Sequence, residues 1–128
     1  MLEAWSPRLL SVLRIVTAFI YLAHGTQKLF GIPPSARGTT VELASRLSAA
    51  GVIEMVGGQL ILLGLFTHLA AFICSGEMAA AYVLSHAPRG LLPIQNGGEL
   101  PVLLCFIFLY LAATGGGPVS LDALRRAS

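Results

Sequence analysis

Charge is what this sequence has least of. Asp, Glu, Lys and Arg together make up 11% of its 128 residues, against about 25% in an ordinary soluble domain. A chain this short has much surface for its volume and, in water, needs polar residues to cover it. Hydrophobic residues reach 55% and the mean hydropathy is +0.80. The combination indicates an integral membrane protein and excludes disordered and collagen-like chains. Cysteine is scarce too: Cys74 and Cys105 form no C-x-x-C, so a disulfide scaffold is excluded and both thiols read as packing residues. There is no basic run and the net charge is only +2, so nucleic acid is not a partner. No H-E-x-x-H or Cys/His cluster is present, so no metal site is expected. Walker, Rossmann and nucleophile-elbow motifs are missing as well.

What the sequence does have is long apolar runs. None alternates with period two, so strands do not compete with helices. The runs predict an all-α, integral membrane four-helix bundle in the lipid bilayer, one transmembrane domain over residues 1–128. Its spans lie at about 9–29, 47–66, 69–85 and 96–114. Arg14 interrupts the first run and no small-residue cleavage site follows it, so that span reads as a retained anchor. Pro33-Pro34 stops it, and Thr39-x-x-Glu42 resembles a capping box opening the next helix, with Ser35–Ser45 at the interface. Spans two and three are joined tightly at Gly64–His68. Pro88, Gly90 and Pro93 mark a loop over Ala87–Gln95, and Gly115-Gly116-Gly117-Pro118 ends span four before a short amphipathic tail with Arg125 and Arg126. Four spans put both termini on one side. The basic residues do not say which: Arg8, Arg14, Arg125 and Arg126 lie on the terminal face, Lys28, Arg37, Arg46 and Arg89 on the other.

The informative residues are ionisable groups inside the spans, each costing about 2.5–3.5 kcal/mol at a helix centre. Arg14, Thr17, Tyr21, His24 and Lys28 are spaced 3, 4, 3, 4, one stripe on one helix face. Ala50, Glu54, Gly57, Ile61 and Gly64 form a small-residue seam with a carboxyl in it. Ala70, Cys74, Glu77, Ala81 and Leu84 repeat the pattern. His24, Lys28, Glu54, His86 and Glu99 fall at one depth, opposite the termini, with Glu77 below them. They predict a polar funnel open on that side and closed by apolar residues on the other. The charges sum to +2 from Arg14 and Lys28 against −3 from the three glutamates, so one Glu is neutral, Glu77 by preference as the deepest, or a His is protonated.

Two readings of this set stay open. Buried polar groups can simply tie helices together, and Arg14, near a span end, reads as snorkelling to the headgroups. Asn96-x-x-Glu99 reads either as a helix cap or as part of the site, and Pro101 favours a helix start near Gly98 over one at Asn96. Alternatively the cluster is a ligand site, with Tyr21 and Phe106 along its apolar part. His24 and His86 leave bis-imidazole haem ligation geometrically open, but two scattered histidines weigh against it.

The motifs, in order, resemble the DoxX family. They are Arg14, then His24-Gly25-Thr26-Gln27-Lys28-Leu29-Phe30-Gly31, Glu54-Met55-Val56-Gly57-Gly58, Leu63-Gly64-Leu65-Phe66-Thr67, Asn96-Gly97-Gly98-Glu99 and Gly115-Gly116-Gly117-Pro118-Val119-Ser120-Leu121-Asp122. The likeness spans about residues 8–122. It implies a multi-pass protein of the bacterial inner membrane with cytoplasmic termini. It also implies a membrane subunit of a quinone-linked or thiol- and oxidative-stress-related oxidoreductase system, with quinone as cofactor and a membrane or soluble redox protein as partner. His24, Lys28, Glu54 and Glu99 are the site residues it carries over; Tyr21, Glu77 and Asn96 join them from the residue reading. The alternative is a non-catalytic membrane module that binds a partner protein or small solute.

Overall fold

The computed structural model describes residues 1–34 and 46–127, without the side chains of residues 46 and 47. The Thr39–Glu42 box and the Ser35–Ser45 segment lie outside the described residues. The regular elements among the described residues are all helices: α1 (Ser6–Phe30), α2 (Arg46–Leu63), α3 (Thr67–Ala81), α4 (Pro93–Asn96), α5 (Glu99–Thr114) and α6 (Leu121–Ala127), with short 3-10 and π turns beside them. Pro7 sits in the first turn of α1, where a missing N–H breaks no helical bond. The loop expected over Ala87–Gln95 is largely helical. The α3 helix runs on through a π-helical turn, Tyr82–His86, and a 3-10 turn, Ala87–Arg89, and stops at Gly90. Pro88 is tolerated because it falls in the first turn of that 3-10 segment. Of the two starts open for the last long helix, α5 takes the later one, with Gly98 as its cap, so Pro101 again lies in a first turn.

Two antiparallel pairs make the core, α1 with α2 and α3 with α5, and α2 packs on α3. Gly25 of α1 lies against the backbone of α2: a Cβ there would stand 3.0 Å from Glu54 Cβ and 3.1 Å from the Met55 nitrogen. Any larger residue there would push α2 back by a few tenths of an ångström. Gly57, one turn along α2 from Glu54, makes room for a side chain of α3: a Cβ there would stand 2.5 Å from Cys74 Sγ. Tyr21 meets Phe108 of α5 edge to face, with ring centroids 4.7 Å apart.

Two helical runs among the described residues, Leu2–Phe30 and Thr67–Arg89, are long and apolar enough to cross a membrane. Ser48–Leu63 and Glu99–Thr114 are apolar but shorter. Their sixteen residues reach about 24 Å, under the roughly 30 Å of a hydrocarbon core. The Gly64 turn stops α2 early, and the Gly97–Gly98 turn delays α5.

The terminal end is closed by the segment after α5. Arg14 does not snorkel. It is 1% exposed, and its guanidinium donates to the Gly116 carbonyl and to that of Val119 at 2.7 Å. Ser11 Oγ donates to the Gly116 carbonyl at 3.1 Å and accepts from the Val119 N–H at 3.1 Å. Asp122 then takes the place of a local cap for α3. Its carboxylate accepts from the Phe66 and Thr67 amides, both at 2.9 Å, at a turn where Phe66 has a positive φ of 51°. Arg125 lies over the Phe66 ring, 4.8 Å from its centroid.

Partial burial pushes the Asp122 carboxyl up, but the Thr67 and Phe66 amides and the nearby Arg125 outweigh it and hold it below its ordinary value of 3.8. The stabilisation is therefore complete above that value and is lost as pH falls through the lower folded one. Asp122→Ala should lower stability by about 1–2 kcal/mol at neutral pH. In thermal unfolding followed by circular dichroism in detergent, the gap between variant and parent should narrow toward about pH 3.

Candidate functional site

The half of the molecule away from the termini holds a cavity of about 880 Å³. All four long helices line it: Tyr21, His24, Gln27 and Lys28 from α1, Ala50, Ile53 and Glu54 from α2, Glu77 and Met78 from α3, and Leu100, Pro101 and Leu104 from α5. His86 and Arg89 reach it from the helical continuation of α3. Arg14 lies fourteen residues before Lys28 on the same helix, about 21 Å along its axis.

Glu54 is the centre of the arrangement. Its side chain is wholly buried, and Lys28, whose side chain is 25% exposed, makes a direct ion pair with its Oε1. Its Oε2 has no hydrogen-bond partner among the described residues. The Gly25 contact is what brings Glu54 to α1, and Lys28 sits one turn further along the same face. Glu77 is the neighbouring carboxyl, and its Oε1 accepts from the Tyr21 hydroxyl at 2.9 Å. The hydroxyl belongs to a fully buried ring, so this bond fixes Glu77 from below.

Tyr21, His24, Lys28, Glu54 and Glu77 are thus brought together. Asn96 and Glu99 are not. Asn96 is 2% exposed but serves the chain: its Nδ2 donates to the Tyr82 hydroxyl at 3.0 Å and the Gly90 carbonyl at 3.2 Å, and its Oδ1 accepts from the Gly98 N–H at 2.8 Å. Glu99, in the first turn of α5, is exposed and does not line the cavity. Phe106 also points away, 64% exposed; the ring beside Tyr21 is Phe108. With Arg14 at the far end and Glu99 outside, the charge balance changes. Lys28 stands against Glu54 and Glu77, with Arg89 further out.

Arg89 and Gln27 are among the members of the lining that escaped the sequence reading. Arg89 was placed in a loop, and only the helical run through Pro88 turns it toward the cavity. Gln27 lies three residues from His24 on α1, a spacing visible in the sequence but not used. His86 stacks on Tyr82 with centroids 6.4 Å apart, and its Nδ1 lies 3.3 Å from the Asn96 carbonyl oxygen. Among the described residues no group of three His, Cys, Asp or Glu is placed to hold a metal ion.

The DoxX family profile matches residues 9–87. The chain belongs to the DoxX family. A Haemophilus influenzae protein described only as uncharacterized is 47% identical over 125 residues, covering 94% of this chain and 93% of its own length. A Mycobacterium tuberculosis protein, described as an uncharacterized membrane protein, is 31% identical over 140 residues, 95% of this chain and 84% of its own. CatD of Bacillus subtilis, whose name provisionally makes it an oxidoreductase, is 26% identical over 113 residues, 87% of this chain and 82% of its own. No solved structure matches the chain. This DoxX chain is a membrane protein, and the site just described is carried mostly by the matched segment.

Breaking a buried pair by removing one partner costs about 3–5 kcal/mol, because the other charge is left unpaired. Lys28→Met should therefore lower stability by about that much. The double variant Lys28→Met/Glu54→Gln should recover most of the loss. Chemical unfolding of the reconstituted protein measures both.

Proposed function

We propose that this DoxX protein crosses the bacterial inner membrane four times and uses the Glu54 cavity to bind the polar head of a quinone, as a membrane subunit of an oxidoreductase system. The multi-pass reading is supported by where apolar surface lies. Large apolar side chains face outward on the long helices: Phe19 at 69% exposure, Phe72 at 63% and Leu103 at 60%. Arg14, Glu54, Ser75 and Asn96 are buried instead. Soluble monomers rarely expose apolar surface on this scale, and lipid-facing helices do so as a rule. The two short helices reach the headgroups if the bilayer thins locally around them. The 3-10 turn with Trp5, beside Arg8 at 5.3 Å, suits the interface at the terminal end.

The observation that carries the ligand reading is the unpartnered, fully buried Oε2 of Glu54 in the wall of an 880 Å³ cavity. Apolar walls at Ile53, Met78 and Leu104 suit the ring and tail of a quinone, His24 and Lys28 suit its carbonyl oxygens, and the carboxyl suits a hydroxyl of its reduced form. A bound quinone would supply two-electron, two-proton redox chemistry. Lys28, paired with Glu54, would offset charge on a reduced ligand, and His24, one turn from Lys28, would carry protons. The name of the Bacillus subtilis relative points to the same reaction class.

Glu54→Gln keeps the shape and removes the charge. It leaves Lys28 without its counter-ion and so costs stability, but should still insert and fold while losing at least about tenfold in affinity for the ligand, with His24→Gln slowing redox turnover. If both variants bind and turn over quinone like the parent while only stability falls, the glutamate is helix glue and the non-catalytic reading replaces this one. Topology is checked separately, by labelling single cysteines placed at Ser6 and Ser35 in a protein lacking Cys74 and Cys105. An impermeant thiol reagent should reach the two positions from opposite sides of the membrane.

A further inference from the structure

The cavity reaches the side of the bundle as well as its mouth, and the faces of α2 and α3 say where. On α3 the lining residues Ile73, Glu77, Ala80 and Leu84 are spaced 4, 3, 4, one stripe on one face. Ser75 lies two residues from Ile73, about 200° around the helix, and donates to the Cys105 carbonyl of α5 at 2.8 Å. The stripe therefore faces away from α5, toward α2. On α2, Gly57 meets Cys74 of α3, while Gly51 and Gly58 receive Leu29 and Leu22 of α1. Ala49 and Ile53, which also line the cavity, lie on the other side of Gly57 from those two glycines. The Gly57–Cys74 contact is thus the inner end of a cleft between α2 and α3, with Ile53 and Ile73 as its lips. Exposure agrees. Ile73 lies four residues deeper than Glu77 yet is 49% exposed. Leu104, which lines the cavity from α5 next to Cys105, is 4% exposed, and Tyr21 of α1 is fully buried.

We propose that this cleft is a lateral entrance from the bilayer, and that the ligand is lipid-borne: its head lies by the Lys28–Glu54 pair and an apolar chain runs out past Ile53, Ile73 and Ala80. The inference rests on the ligand-site and multi-pass readings above. Ile73 is six residues into α3, about 9 Å along its axis, beside the outward-facing Leu69 and Phe72, so the cleft opens at hydrocarbon depth. Polarity is divided to match. His24, Gln27 and Lys28 line the cavity from α1, and His86 and Arg89 line it near the mouth, whereas the cleft is bordered by Ala49, Ile53, Ile73, Ala80 and Leu84. A chain that enters this way stays among apolar groups throughout, and a ligand that comes from water has no use for the cleft.

The test compares two benzoquinones with the same ring, one carrying a decyl chain and one a methyl group, by calorimetric titration of the protein in lipid nanodiscs. At one lipid content, partition into the bilayer cancels between parent and variant. Ala80→Phe narrows the cleft from an exposed position and leaves Lys28 and Glu54 untouched. It should weaken the decyl compound at least about tenfold, the contribution of two buried methylenes, and the methyl compound by less than about twofold. The parent protein gives a second measurement, which stands should the variant fold poorly. A decyl chain ending in a photoreactive diazirine should mark α2 or α3 at the cleft, at residues 49–53 or 73–80, and excess unlabelled decyl compound should displace it. Adducts confined to Gln27 or to His86–Arg89 overturn this inference and leave the ligand site standing, as does a folded variant that weakens both compounds alike or neither. No binding of either compound, with no displaceable adduct, overturns the ligand site itself, and this inference with it.

Discussion

The closeness of α1 and α2 at Gly25 is the constraint on which the site depends. Two helices separated by ordinary side chains stand about 8–10 Å apart. At Gly25 no side chain intervenes, and the backbone of α1 rests on Glu54 and Met55. The glutamate is thereby buried completely, and Lys28, one turn along, becomes its counter-ion. An isolated carboxylate in that position would be far too costly to keep charged. The same contact that buries the acid therefore also supplies the base that makes its burial tolerable.

The opposite end solves a similar problem differently. Arg14 is as buried as Glu54 but has no carboxylate partner among the described residues; it binds backbone carbonyls of the segment after α5. Those carbonyls are free because Gly115 ends α5 and the chain turns back over α1. Asp122, further along, caps α3. Charge at this end is consumed in holding the ends of α1, α3 and α5 together, although Arg14 Nε and Thr67 Oγ1 are buried there without a hydrogen-bond partner among the described residues. The terminal end is a closure, and the far end is a cavity.

Much of this was legible in the sequence, for a physical reason. Composition and long apolar runs without period two fix the all-helical class, and the 3–4 spacing from Tyr21 through His24 to Lys28 puts these residues on one face whatever the details. The ordered short motifs were enough to reach the DoxX family. Pairwise partners were not legible. Arg14 lies on the same stripe as Lys28, and spacing alone cannot say that one meets backbone and the other a carboxylate. Glu99 has the right depth, but depth does not fix the direction of a residue in the first turn of α5. Phe106 and Phe108 differ by two residues, about 200° around a helix, so a small error of phase exchanges inside for outside. The helical run through Pro88 was hidden because proline signals a stop unless its position in the turn is known.

Satisfaction of polar groups connects these particulars to function. In a setting where water does not compete, a buried donor or acceptor is either engaged or held at a penalty. Asn96 engages Tyr82, Gly90 and Gly98; Ser75 donates to the Cys105 carbonyl at 2.8 Å; Tyr21 engages Glu77. Glu54 Oε2, Arg14 Nε and Thr67 Oγ1 are buried without a hydrogen-bond partner among the described residues, and of these three residues Glu54 lines the 880 Å³ cavity. A fold that closes so many other valences at such short range would gain stability by closing the one at Glu54, with a serine or an asparagine on α3. On the ligand reading proposed above, a partner for the glutamate comes from outside the chain.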